Sequence, residues 1–190
     1  MTIVTKYCNC HYCLKNQEIV NPYGIYHNKL FLSGVSLEFD YRTTALCRYG
    51  CEKFRKKPTC PPNIPGIEYY SNVLNEYEGI FVLGRKYPYS DGLFSAHWRN
   101  YSSREIHELV LKKEIELFNN GFVYSKAFIG GSCKLCSPDV CKSHKCVRPH
   151  KGRVPIEATG INILSLMTAI GLEYQEPPVD YFWRLGLVFF

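Results

Sequence analysis

The densest chemistry in the chain is the stretch Cys133-Lys-Leu-Cys136-Ser-Pro-Asp-Val-Cys141-Lys-Ser-His-Lys-Cys146, four thiols with gaps of two, four and four residues. So short a loop wraps one small object. Thiolates at this spacing either chelate a metal or close on one another as disulfides, and disulfides here would close tiny loops that remove little entropy from the unfolded chain. Chelation is the better reading. A second concentration, Cys47-Arg-Tyr-Gly-Cys51 followed by Cys60-Pro61-Pro62, reads as another metal loop. Its glycine permits a tight turn, and its prolines stiffen the exit and remove backbone donors beside a sulfur-rich object. A third, Cys8, Cys10, His11 and Cys13, reads as an arm that carries ligands for a site elsewhere or forms part of a separate one.

Two metals compete for the C-terminal loop. Zinc takes four thiolates tetrahedrally in compact knuckles, and the gaps here equal those of a Cys-x2-Cys-x4-His-x4-Cys knuckle with Cys141 in the histidine place. An iron–sulfur cube also takes four thiolates from a compact run, commonly with proline beside it, as Pro138 and Pro149 are. The pair Gly130-Gly131 lets the backbone approach a bulky inorganic core. Spacing alone leaves both metals open. Ten cysteines in 190 residues, distributed over several loops, favour iron–sulfur.

With 46% hydrophobic residues the chain can build a core without metal. No signal peptide opens it and no apolar run is long enough to span a bilayer, so the expected location is the cytoplasm, with no membrane partner. In a reducing compartment clustered cysteine means metal or redox chemistry, and oxygen-sensitive clusters suit an anaerobic host. The formal charge of +6 hints at nucleic acid, but it counts thiols as neutral. Two oxidised cubes, at about −2 each, bring the holoprotein to about +2. Nucleic acid is therefore not the favoured partner.

The elements that must position these loops read as α/β (α+β): a small mixed sheet with flanking helices, with ferredoxin-like topology as one candidate. An arm over 1–24 precedes a single metal-binding domain over 25–190. Residues 25–41 alternate as a hairpin or bent strand with a bulge at Ser33-Gly34. A helix over 66–77 enters after Pro65, and a buried strand covers 79–84. Residues 85–101 mix bases with aromatics, so Arg85, Lys86, His97, Trp98 and Arg99 are candidate contacts for an anionic substrate or a partner. Ser102-Ser-Arg-Glu105 is a capping-box signature for a helix to about Asn120, whose acids Glu105, Glu108 and Glu114, with His107, form a solvated face. A strand over 122–129 delivers the main cysteine loop. The basic loop after it offers Arg148 and Arg153 as further contacts. A helix begins near Pro155 and runs to about Ile170, and an apolar strand covers 182–190.

Cys47-x3-Cys51, Cys60-Pro-Pro, Gly-Gly-Ser-Cys133-x2-Cys136, Cys141-x4-Cys146 and Arg-Pro-x5-Pro-Ile-Glu157-Ala-Thr-Gly160-Ile-Asn together resemble a family of predicted metal-binding proteins of archaea and anaerobic bacteria, catalogued as a domain of unknown function. The likeness runs from about residue 40 onward. It implies metal binding by Cys47, Cys51, Cys60, Cys133, Cys136, Cys141 and Cys146, with iron–sulfur favoured, and implies no reaction. Cys8, Cys10 and Cys13 do not match its common pattern. The expected function is an iron–sulfur protein with two 4Fe-4S clusters that passes electrons to a redox partner protein, since no Gly-x-Gly-x-x-Gly nucleotide fingerprint follows a strand. One alternative is an iron–sulfur enzyme in which a three-cysteine cluster keeps an open iron for substrate binding or sulfur transfer. The other is a zinc-bound nucleic-acid module.

Overall fold

In the computed structural model the described residues are 25–32, 36–89, 96–137, 140–141 and 145–190. The cysteines of the arm, Cys8, Cys10 and Cys13, and the expected bulge at Ser33-Gly34 lie outside them. In chain order the elements are β1 (Ile25–Phe31), α1 (Tyr41–Gly50), α2 (Ile67–Leu74), β2 (Gly79–Pro88), α3 (Ala96–Asn119), β3 (Lys126–Ile129), a 3-10 turn (Glu157–Thr159), α4 (Ile163–Ala169) and β4 (Tyr181–Phe189). The strands form one sheet of order β1-β2-β4-β3, antiparallel at every pairing. The fold is thus α+β. It does not follow the β-α-β-β-α-β succession of ferredoxin-like proteins.

The two faces of the sheet bury different partners, as the two-residue period of strands requires. On one face Ile80, Val82, Leu187 and Phe189 pack with Tyr70 and Leu74 of α2, Ile156 and Ile161 around the 3-10 turn, and Leu166 and Met167 of α4. On the other, Phe81, Leu83, Ala127, Ile129, Val188 and Phe190 pack with Ile106, Val110 and Leu117 of α3. Gly186 of β4 lets α3 come close: a Cβ there would sit 2.3 Å from Val110 Cγ1. Each fully buried aliphatic side chain on these faces contributes about 1.5–3 kcal/mol.

Several expectations change. Among the described residues of the alternating stretch 25–41, the strand runs from Ile25 to Phe31, and Phe39 makes an isolated bridge to Ile161. Asp40 then caps a helix, its Oδ1 accepting from the Arg42 backbone N–H at 2.8 Å. Tertiary pairing with β4 extends β2 to Pro88, so Arg85, Lys86 and Tyr87 are strand residues. The capping box at Ser102 does not start a helix, because α3 already begins at Ala96. The Ser102 hydroxyl bonds back to the Arg99 carbonyl, and Glu105 is taken by Arg85 and Tyr87. The solvated acidic face is also corrected. His107 and Glu114 are buried on the inner side of α3, because each has an internal partner. The helix expected from Pro155 is broken at Gly160, which sits at φ 92°, and restarts at Asn162, whose side chain accepts from the Ser165 N–H. A side chain at Gly160 would also meet Ile67 at 2.3 Å.

Candidate metal centre

Cys47 and Cys51 are one helical turn apart, and α1 ends between them, so both thiols leave the same end of that helix. Cys47 is half-buried and Cys51 exposed, while Cys60, reached through the turns of 51–60, is buried. The turns are held by backbone bonds, among them Cys60 N–H to the Lys57 carbonyl at 3.1 Å and Arg55 N–H to the Pro61 carbonyl at 2.9 Å. Burial pushes the Cys47 thiol up to about 11, with the charges of Glu157 and then Cys51 adding to it. Burial likewise pushes Cys60 up to about 12, reinforced by Cys51 and Cys47. Cys60 is thus within electrostatic reach of Cys51 and Cys47.

The second loop is built differently. β3 is anchored between β4 and the chain around Pro155, and Ile129 exchanges backbone bonds with Val154 and Ile156 at 3.1 and 2.8 Å. At its end the chain turns through Gly130 and Gly131 into buried Cys133. The expected reason for these glycines needs correction. A Cβ on Gly130 would sit 2.7 Å from the Leu185 carbonyl, so Gly130 serves the approach to β4. Gly131 adopts φ +74°, a left-handed conformation that favours glycine. The glycine that lies against sulfur is Gly152, where a Cβ would be 3.2 Å from Cys146 Sγ. A Gly six residues after the last cysteine carries no spacing signal, and the sequence reading passed over it.

Cys133 and Cys141 are buried and Cys136 and Cys146 half-buried. The Cys133 thiol is raised by burial, eased by the Leu135 backbone N–H, and raised further by Cys141, Cys146 and Cys136. Cys133 is thus within electrostatic reach of the other three thiols of the loop. The loops also meet each other. Cys133 is among the charges acting on Cys60, and the Cβ position of Gly152 lies between Cys146 Sγ and, at 3.4 Å, the Thr59 methyl. Among the described residues no three His, Cys, Asp or Glu side chains are gathered tightly enough to hold a single ion.

A buried framework fixes the return from the second loop. Arg153 grips Glu114 with two nitrogens, Nε reaching Oε1 and Oε2 at 3.2 and 3.0 Å and Nη2 reaching Oε2, and also donates to the His150 and Gly152 carbonyls. Glu114 accepts from the Ala127 N–H at 2.8 Å, and the His107 ring bonds the Lys151 carbonyl at 2.8 Å. Arg153, a candidate partner contact, is thereby engaged within the fold, whereas Arg148 is exposed. Arg85 is likewise buried and paired with Glu105, which also accepts from the Tyr87 hydroxyl at 2.6 Å. Lys86 lies over the rings of Tyr181 and Trp183, at 4.1 and 5.4 Å. Arg99 is an exposed residue of α3, and the side chains of His97 and Trp98 lie outside the described residues.

Cysteine-rich loops with a glycine set against one sulfur fit a metal or an iron–sulfur group. Comparison with known families agrees at the coarser level: the model of a family described as a predicted metal-binding protein, DUF2284, matches residues 31–190. The chain belongs to this family. No curated protein and no solved structure matches it. Among the described residues no helix is long and apolar enough to cross a membrane.

Proposed function

We propose that this member of the metal-binding family holds two iron–sulfur clusters and passes electrons between them and a partner protein. Cys133, Cys136, Cys141 and Cys146 would hold one four-iron cluster, and Cys47, Cys51 and Cys60 three irons of another. The observation that carries this reading is the meeting of the two loops, where the Cβ position of Gly152 lies 3.2 Å from Cys146 Sγ and 3.4 Å from the methyl of Thr59, the neighbour of Cys60. The number of thiols supports clusters over a lone zinc: the two loops together carry seven cysteines, more than one tetrahedral ion takes. An iron–sulfur cluster supplies one-electron chemistry when bound. The chain's own part is to bury Cys60, Cys133 and Cys141, to keep water from their sulfurs, and to donate the Leu135 N–H toward Cys133.

The exposure of Cys51 and the count of three thiols in the first loop favour a second reading, in which one iron of that cluster is open to substrate or is capped from the Cys8–Cys13 arm. Anaerobic purification with iron, zinc and acid-labile sulfide counted per chain tests the proposal. About eight irons and eight sulfides are expected. One or two zincs without sulfide would overturn it and favour the nucleic-acid module. If replacing Cys8, Cys10 and Cys13 together by serine leaves the first cluster's electron paramagnetic resonance unchanged, the arm is not its cap.

A further inference from the structure

A cavity of about 160 Å³ opens where β3 stops covering β4. β3 pairs β4 only from Gly186 to Phe189. Before that the β4 edge is bordered by Gly130, Glu157, α4 and the segment 174–178. Leu185 gives its carbonyl to the Gly130 N–H at 2.8 Å. By the alternation of an antiparallel strand, Trp183 directs its own backbone N–H and carbonyl toward the same side. At about 160 Å³ the cavity holds several waters and suits a small metabolite.

The lining is divided. Ile156, Leu164, Met167 and Trp183 give an apolar wall, and Arg184, Glu157 and Glu176 supply the charges. Arg184 Nε is shielded from solvent and has no hydrogen-bond partner, and its guanidinium carbon lies 5.6 Å from the Phe182 ring centroid. A buried cationic donor without an acceptor is costly. Glu157 accepts the Gly131 N–H at 3.1 and 3.2 Å on its two oxygens. A carboxylate has about four lone-pair sites, so acceptor capacity remains.

We propose that this cavity binds a small zwitterion, an α-amino acid with an apolar side chain, its carboxylate on Arg184, its ammonium on Glu157 or Glu176, and its side chain on the apolar wall. A simple acid would satisfy Arg184 but face two carboxylates. A simple amine would leave Arg184 unpaired. The proposal goes beyond the metal reading and does not depend on it, because every residue it uses lies outside the cysteine set. The two are neighbours all the same, since Glu157 acts on the Cys47 thiol.

The test is calorimetric titration of the full chain, as purified with its metal, with L-leucine, 4-methylpentanoate, which lacks the amine, and 3-methylbutylamine, which lacks the carboxylate. Leucine is expected to bind, and each half-analogue to bind at least tenfold more weakly. R184M is expected to abolish leucine binding and E157Q to weaken it severalfold. L164W, which fills the cavity from α4 and leaves both charges in place, is expected to abolish binding even if R184M does not fold. Binding of 4-methylpentanoate as tight as leucine would overturn the ammonium site. Undiminished leucine binding by L164W would overturn the cavity itself. No heat from leucine, methionine or phenylalanine at millimolar concentration would overturn the proposal outright.

Discussion

The two cysteine loops are held by opposite means. The second is set between a strand and a buried ion pair, Arg153 on Glu114, with both side chains about nine-tenths covered. The first hangs from α1, a helix without a single buried residue, whose Leu46 and Tyr49 are 73% and 82% exposed. A helix without a buried face takes little stability from packing. Its position rests on the Asp40 cap, the Asp40 N–H bond to the Gly160 carbonyl at 2.8 Å and the Tyr41 hydroxyl bond to Glu68 at 2.6 Å. On the proposed reading, one loop would be preformed for its metal and the other completed by it.

The sharpest break of this contrast is Cys133→Ser, which is expected to remove the second loop's metal, about half the total iron, while circular dichroism still shows a folded sheet. Retention of all iron would show that Cys133 is not a ligand. Glu114→Gln comes next. Removing one partner of a buried pair costs about 3–5 kcal/mol, to be read as a lower urea midpoint, and Glu114→Gln with Arg153→Met together should recover part of that loss. Gly152→Ala tests the cradle: metal in the second loop should weaken roughly tenfold, about 1.4 kcal/mol, with the first loop unaffected. pH gives a subtler distinction. In the metal-free chain Cys47 and Cys60 are raised to about 11 and 12, so the folded state holds their protons longer than the unfolded one. The stability they contribute is complete below the ordinary thiol value and is lost as pH rises through about 11 and 12. The loaded protein, whose ligands are already deprotonated, should lack that loss, and metal uptake by the apo chain should strengthen with pH. Smallest of all is Leu46→Ser on the outer face of α1, expected to shift stability by less than about 0.5 kcal/mol. A large destabilisation would mean that this face is covered in solution.

Sequence periodicity sufficed for α2, for the body of α3 and for the start of β2, because each has an apolar set at its own period. It failed where a local rule was overruled from elsewhere in the chain. Ser102 has every residue of a capping box, yet Glu105 finds Arg85 and Tyr87 on the sheet. Glu114 reads as a surface acid until Arg153, distant in sequence, closes on it. Spacing singled out the thiols, but not the meeting of their loops, since nothing local sets Thr59 beside Cys146. Arg184 and the cavity at the β4 edge carried no motif.

The order of strands has a consequence for biosynthesis. β4 lies between β2 and β3 but is the last of the four in the chain. Every cysteine of both loops is therefore translated before the central strand that organises the sheet. At roughly 5–20 residues per second, the interval from Cys146 to the end of β4 is a few seconds. During it Cys60, Cys133 and Cys141 lack the complete fold that buries them. Nascent chains made under oxidant should accumulate scrambled cysteine linkages that mature, folded chains resist.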